Sequence, residues 1–284
     1  MINKIVLGTV QFGLNYGINN SIGMSTITEM SEIFKMANFL HIDMLDTAHV
    51  YGNAESKVGE FSGGNYKVVT KFSKVTNEEE LFNEFQISLN NLKTNSVYGY
   101  MAHSADTLIQ NPKLWQSLQK LQLENKTQKI GYSLYSPEQL MKLLDLNLIP
   151  DLVQIPYSLL DRKFEVFLPK LVGLGVEIHV RSVFLQGLYF MDLEKLPIKL
   201  LPLKSQLQKL HSCCNTHNVE IGSLALNYVV SNPNIHKVVI GIDSSLQLKQ
   251  NINAIENWHH NQQLLDCVND INIENVELLN PANW

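Results

Sequence analysis

Short apolar runs recur along the chain, each followed by a longer stretch in which apolar residues return every three or four positions. The runs at 4–8, 41–45, 67–71, 97–101, 129–132, 152–155, 176–180 and 237–240 are mostly apolar rather than alternating, which predicts strands buried on both faces. Helical spacing fills the gaps. Residues 28–40 place Ile33, Phe34, Met36, Ala37 and Leu40 at helical intervals. Thr76 and Asn77 precede Glu78, Glu79 and Glu80 and predict the start of a helix over 78–92, with the acidic residues where the helix dipole favours them. Pro137 after Ser136 marks another start, and helices over 203–216, 221–230 and 245–255 complete the set.

Eight strands alternating with helices predict a parallel sheet, and eight is the number that closes a (β/α)8 TIM barrel. The alternative is an open doubly wound sheet. Against it, no Gly-x-Gly-x-x-Gly follows the first strand, which runs into Gly8-Thr9-Val10-Gln11-Phe12-Gly13. No linker, composition break or long repeat interrupts the pattern, so one α/β domain over 1–284 is expected.

Composition narrows the function. The chain is 45% hydrophobic, enough for a large core. Its 22 basic and 27 acidic residues give a net charge of −5, so a sequence-independent grip on nucleic acid is not expected. No run approaches the ~18 apolar residues of a membrane helix. The apolar run ending at Gly8 is too short for a secretion signal, so a cytoplasmic protein is expected. Three cysteines, two of them adjacent at Cys213 and Cys214, suggest reduced, partly buried thiols rather than a disulfide framework or a metal site.

In a barrel of this kind the C-terminal strand ends face the active site. The second strand leads through Asp46 to Tyr51, the third ends at Lys71 and the fourth at His103. Together these four make a proton-donating unit. A free Tyr has a pKa of ~10 and donates poorly near neutral pH unless its phenolate is stabilised. Lys71 is expected to supply that stabilisation, Asp46 to hold Lys71 charged and in place, and His103 to orient a carbonyl within hydrogen-bond reach of the phenol. Singly, Asp46 reads as a helix cap, Lys71 as a solvated charge, and the Tyr and His as structural residues. Their weight comes from arriving together.

The Asp46-Thr47-Ala48-x-x-Tyr51-Gly52 run, followed by Glu55 and Gly59, resembles a signature of the aldo-keto reductase superfamily. Val69-Thr70-Lys71 and Ala102-His103-Ser104 fall where that family's catalytic Lys and His fall. Gly131-Tyr132-Ser133, the segment from Gln154 to Arg162 and the tail over 278–284 are also similar to bacterial members. The resemblance covers almost the whole chain. It implies a barrel that reduces a small aldehyde or ketone with NAD(H) or NADP(H), without metal, Tyr51 acting as general acid. Relatives with similar segments at 154–162 and 179–187 are associated with sugar and surface-polysaccharide metabolism, so a sugar or nucleotide-sugar carbonyl is the substrate expected from the resemblance.

The same resemblance assigns cofactor residues. Ser133 and Gln154 match positions that hold the nicotinamide carboxamide, although Leu134 replaces an Asn usual there. Arg181 stands where an aromatic residue usually stacks on the nicotinamide; a guanidinium can stack on a ring, or point at a phosphate or carboxylate of the substrate. After the last strand, Gly241, Asp243, Gln247, Gln250 and Asn251 occupy the stretch that reads the adenosine ribose. Asp243 would repel a 2′-phosphate, so a preference for NAD(H) is expected, with Lys249 and Arg181 as the cations most able to offset it. Gln11 and Tyr16 in the long first loop, and Tyr157 beyond the sixth strand, are the substrate-contact candidates. No counterpart of the N-terminal hairpin that closes the barrel floor in many members precedes Lys4. A non-catalytic nucleotide-sensing subunit on the same barrel is the alternative function, and a cofactor-independent sugar isomerase or lyase a third.

Overall fold

The structure, a computed structural model, describes residues 1–20 and 23–284. Residues 21 and 22 of the long first loop lie outside the described residues. Eight parallel strands, β1 (Ile5–Gly8), β2 (Met44–Asp46), β3 (Lys67–Phe72), β4 (Val97–Ala102), β5 (Thr127–Ser133), β6 (Leu152–Pro156), β7 (Glu177–Arg181) and β8 (Lys237–Gly241), pair in sequence order, and β8 closes on β1. The predicted single-domain barrel is therefore the observed one. All eight strands lie within two or three residues of their expected positions. β2 starts latest relative to expectation, because His41 adopts a left-handed conformation (φ 55) and Ile42 N–H bonds back to Ala37 O, closing the preceding helix before extension begins.

Helices α1 (Ile27–Phe39), α2 (Ala54–Phe61), α3 (Glu78–Leu92), α4 (Ala105–Gln110), α5 (Leu114–Leu123), α6 (Pro137–Asp145), α7 (Leu168–Gly173), α8 (Lys204–Thr216), α9 (Ile221–Val230), α10 (Ser245–Glu256) and α11 (Gln262–Asn269) surround the strands. Five of them, α2, α4, α5, α7 and α11, go beyond the helices the apolar spacing predicts. The expected starts are present: the Asn77 side chain accepts from Glu80 N–H at 2.9 Å, and Pro137 opens α6 after Ser136.

Alternate strand residues point inward. Val6, Met44, Val69, Met101, Leu152 and Val239 form an apolar middle layer inside the barrel. Below it, charged and polar side chains fill the floor. Glu177 accepts from Lys129 (2.5 Å), Tyr98 (2.6 Å) and the buried His179 (2.6 Å), and Lys237 reaches Asn3 O (2.7 Å) in the turn Ile2–Lys4. With the floor filled, the opposite end is the open one.

The cysteines correct the sequence reading. Cys213 on α8 and Cys267 on α11 form a disulfide, their Cα atoms 6.1 Å apart, and Cys214 alone is a free, buried thiol whose titration burial pushes up to about 11. Spacing along the chain could not show that these two helices pack side by side, and the expectation of reduced thiols falls for Cys213 and Cys267. No helix among the described residues is long and apolar enough to cross a membrane.

Candidate active site

The strand ends bring the four expected side chains together. Asp46 closes β2 and is 3% exposed; Lys71 on β3 is fully buried. Lys71 Nζ donates to Asp46 Oδ1 at 2.6 Å and to Thr47 O at 2.9 Å, and Gln154 Nε2 on β6 donates to Asp46 Oδ2 at 2.7 Å. Both carboxylate oxygens are thus engaged. Burial lowers the Lys71 ammonium from its usual range, and Asp46 partly restores it.

Tyr51 sits on the turn after β2, its backbone fixed by two glycines. A Cβ on Gly13 would lie 1.8 Å from Tyr51 O, and Gly52 takes a left-handed φ of 60 with Gly13 O pressed against it. Lys71 Nζ lies 5.5 Å from the Tyr51 ring centroid, and His103 meets that ring edge to face at 5.6 Å. Burial, then the Asp46 carboxylate, hold the Tyr51 phenol well above its ordinary range; the cation that pulls it down is Arg181. The Lys71 ammonium beside that ring is itself held by Asp46 and Thr47. Burial, with Lys71 and Arg181 adding positive charge, lowers His103 to about 4, so its imidazole is neutral near pH 7.

A cleft runs from Asp46 and Tyr51 past Gln154 and Arg181 to Gly241, Asp243 and Gln247. The first loop and the loop after β7 meet across it, with Gln186 Nε2 donating to the Tyr16 hydroxyl at 2.8 Å. Gln11 and Tyr16 both line the cleft, and Gln11 lies against Gly241, at the β8 side. Gln11 is 8% exposed and its Oε1 has no partner. Tyr157 is a correction. Immediately after β6 it turns away from the cleft and is buried, its hydroxyl donating to Glu165 at 2.9 Å and its ring stacked on Tyr228 of α9.

Ser133 is buried beside Gln154 in register, and Gln250 and Asn251 lie on α10 beyond the residues that line the cleft. Asp243 is half-buried, its N–H donating to Gln247 Oε1 at 2.8 Å, and burial raises its carboxyl. Lys249 is exposed on the same helix. Two residues escaped the sequence reading. Glu29 of α1 places its carboxylate on Ser245 N–H at 2.6 Å, at the amino end of α10. Tyr135 carries the Arg181 guanidinium on its ring face at 4.4 Å. Neither position bears a sequence signal, because each acts through a partner distant along the chain.

Among solved structures, the chain is similar to an aldo-keto reductase from Bacillus halodurans in its holo form, with 21% identity, a TM-score of 0.78, and coverage of 96% of this chain and 93% of that one. It is also similar to a glycerol dehydrogenase from Gluconobacter oxydans, with 19% identity, a TM-score of 0.73, and coverage of 94% and 90%. At these identities the likeness establishes the fold. No curated protein sequence matches the chain. The sequence profile of the Aldo/keto reductase family matches residues 4–272, and with the barrel and the grouping of Asp46, Tyr51, Lys71 and His103 in view, the chain belongs to the aldo/keto reductase family of oxidoreductases.

Proposed function

We propose that the protein reduces the carbonyl of a small molecule with a reduced nicotinamide dinucleotide, Tyr51 supplying the proton. The observation that carries this reading is the buried Asp46–Lys71 pair, its carboxylate also held by Gln154, directly beside the Tyr51 ring. When bound, the dinucleotide supplies a hydride. The cleft suits such a group: Gln11 presents an unpartnered buried oxygen, Gly241 leaves room for that side chain, and the amino end of α10 lies beside Asp243 and Gln247. Gln11, Gly241, Asp243 and Gln247 are the residues that would hold it, with Ser133 and Gln154 at the nicotinamide end as the resemblance implies.

Each protein group has a separable task. Tyr51 stays protonated through the physiological range, so the donor is always loaded, and the Arg181 charge favours the phenolate left after transfer. Lys71 and Asp46 fix the floor beneath that ring. Neutral His103 presents an imidazole to the substrate oxygen without adding a competing charge.

The adenosine end supports NADH over NADPH. Asp243 and Glu29 both bring carboxylates to it, and Glu29 already occupies the Ser245 amide that an added phosphate would seek. A carboxylate ~4–5 Å from a 2′-phosphate costs on the order of 3 kcal/mol per unit charge pair at an effective dielectric near 20, before salt screening. The test follows dinucleotide absorbance with aldehydes and keto-sugars, beside fluorescence titrations of NADH and NADPH. We expect turnover, NADPH no tighter than NADH, and a 10²–10⁴-fold loss of kcat in Tyr51→Phe with NADH affinity kept. Binding without turnover would instead make the protein a sensor of nucleotide, and NADPH bound tenfold tighter would overturn the cofactor preference.

A further inference from the structure

We infer that Arg181 selects carbonyl substrates bearing an anionic group, a carboxylate or a phosphate, and this rests on the carbonyl-reducing reading of the cleft. Arg181 ends β7 in register with Pro156. Its guanidinium is clamped on three sides: Nη2 donates to Leu134 O at 3.0 Å, Nη1 to Ser182 Oγ at 3.3 Å, and the group lies 4.4 Å from the Tyr135 ring centroid. Every one of these contacts is neutral. Among the described residues no carboxylate lies within ion-pair distance of it, whereas Lys71, Lys129 and Lys163 are each paired with an acid. Arg181 is also the one cation among the described residues that line the cleft.

A half-buried guanidinium without a counter-ion is an incomplete site, because its desolvation is not offset by a charge partner. Two of its five N–H groups are engaged by the protein, which leaves a forked donor set of the kind that matches carboxylate and phosphate oxygens. The clamp also fixes the fork in advance, so little side-chain entropy is lost when an anion arrives.

Position decides which anion. The Arg181 charge is felt by Tyr51, Lys71, His103 and Tyr16, so it stands at the proton-donating end of the cleft. Asp243, at the β8 end, is governed by burial and Gln247 instead. An oxyanion held by Arg181 therefore belongs to the molecule whose carbonyl reacts. Phe184 and Phe190, with ring centroids 5.8 Å apart, offer an apolar wall on the same cleft for the carbon skeleton. The phosphates of the dinucleotide are the other source of the same chemistry, and the experiment separates the two.

The test measures kcat/KM for matched pairs: succinic semialdehyde and its methyl ester, formylbenzoate and its methyl ester, and glyceraldehyde phosphate and glyceraldehyde. Wild type, Arg181→Met and Arg181→Lys are compared, with NADH dissociation constants measured alongside. The acid-to-ester ratio should exceed one in wild type and drop roughly 10- to 100-fold in Arg181→Met, through KM, with part of it restored in Arg181→Lys. NADH affinity should change by less than about threefold, on the scale of a single neutral contact. A ratio that Arg181→Met leaves unchanged overturns the inference. So does a loss of NADH affinity as large as the loss for the acids, which would assign the anion to the dinucleotide. If no variant turns over any carbonyl, saturation-transfer NMR with formylbenzoate and its ester decides separately. Acid binding that depends on Arg181 then keeps the anion site and removes carbonyl reduction, and equal binding of acid and ester removes the anion site.

Discussion

Burial, more than local charge, sets the protonation of the cleft. Tyr51 and Lys71 are both displaced toward their neutral forms by desolvation, and His103 is lowered to about 4 for the same first reason. For His103 this links pH to stability. Above pH 6.5, its ordinary value, neither the folded nor the unfolded chain binds the proton, so no contribution arises. Between 6.5 and 4 the unfolded chain binds it and the folded one does not, so stability falls as pH drops and the loss is complete below 4. A gap of that size corresponds to on the order of 3 kcal/mol. His103→Gln should therefore lose less stability than wild type between pH 7 and pH 4, measured by urea unfolding at each pH; parallel curves for the two proteins would remove His103 as the source. At this scale the sequence was informative about position and poor about partners. Asp46, Tyr51, Lys71 and His103 were legible because each ends or follows a strand, whereas the commitment of Lys71 to Asp46 and Thr47 depends on the depth at which its side chain lies. Tyr157 shows the converse: nearness to a strand end does not give direction.

At the scale of elements, the loops carry what apolar spacing could not. The loop after β7 holds Ser182, Leu185 and Gln186 at positive φ, conformations that bulky residues rarely adopt unless their surroundings hold them there. One such restraint is the Tyr16–Gln186 hydrogen bond, which joins this loop to the loop after β1, the strands β7 and β1 flanking β8. Its place in the first loop marked Tyr16 as a mouth residue; the partner lies 170 positions away and had no signal. A bond of this type contributes roughly 1 kcal/mol net. Tyr16→Phe should thus release NADH about fivefold faster while its melting temperature stays near that of wild type, as stopped-flow displacement would show. An unchanged release rate would mean that the two loops do not restrain the bound dinucleotide.

For the whole molecule, the barrel was readable because eight buried strands leave eight short apolar runs, and closure follows from their number. What closes the floor and what ties the last helices were not readable, since both join residues far apart in sequence. The floor rests on Glu177 and its three partners. The C-terminal helices are tied by Cys213–Cys267, which closes a loop across 54 positions between α8 and α11. Arg162 reinforces the same junction from the β6 side, with Nη2 on Ile271 O at 2.6 Å and Nη1 on Asn269. In the chain-entropy description a loop of that length restricts the unfolded state by about 4 kcal/mol, less any structure the reduced chain retains. A domain of this size then melts about 5–10 °C lower once the bond is opened. Cys267→Ser should show that loss, and dithiothreitol should reproduce it in wild type while leaving the variant unmoved. Thiol counting under denaturing conditions makes the comparison sharp: protein prepared without reductant should present one reactive thiol, Cys214, and three after reduction. Three thiols without reductant, or a melting temperature indifferent to both treatments, would show that α8 and α11 are held by packing of residues such as Leu207, Leu210 and Leu264 alone.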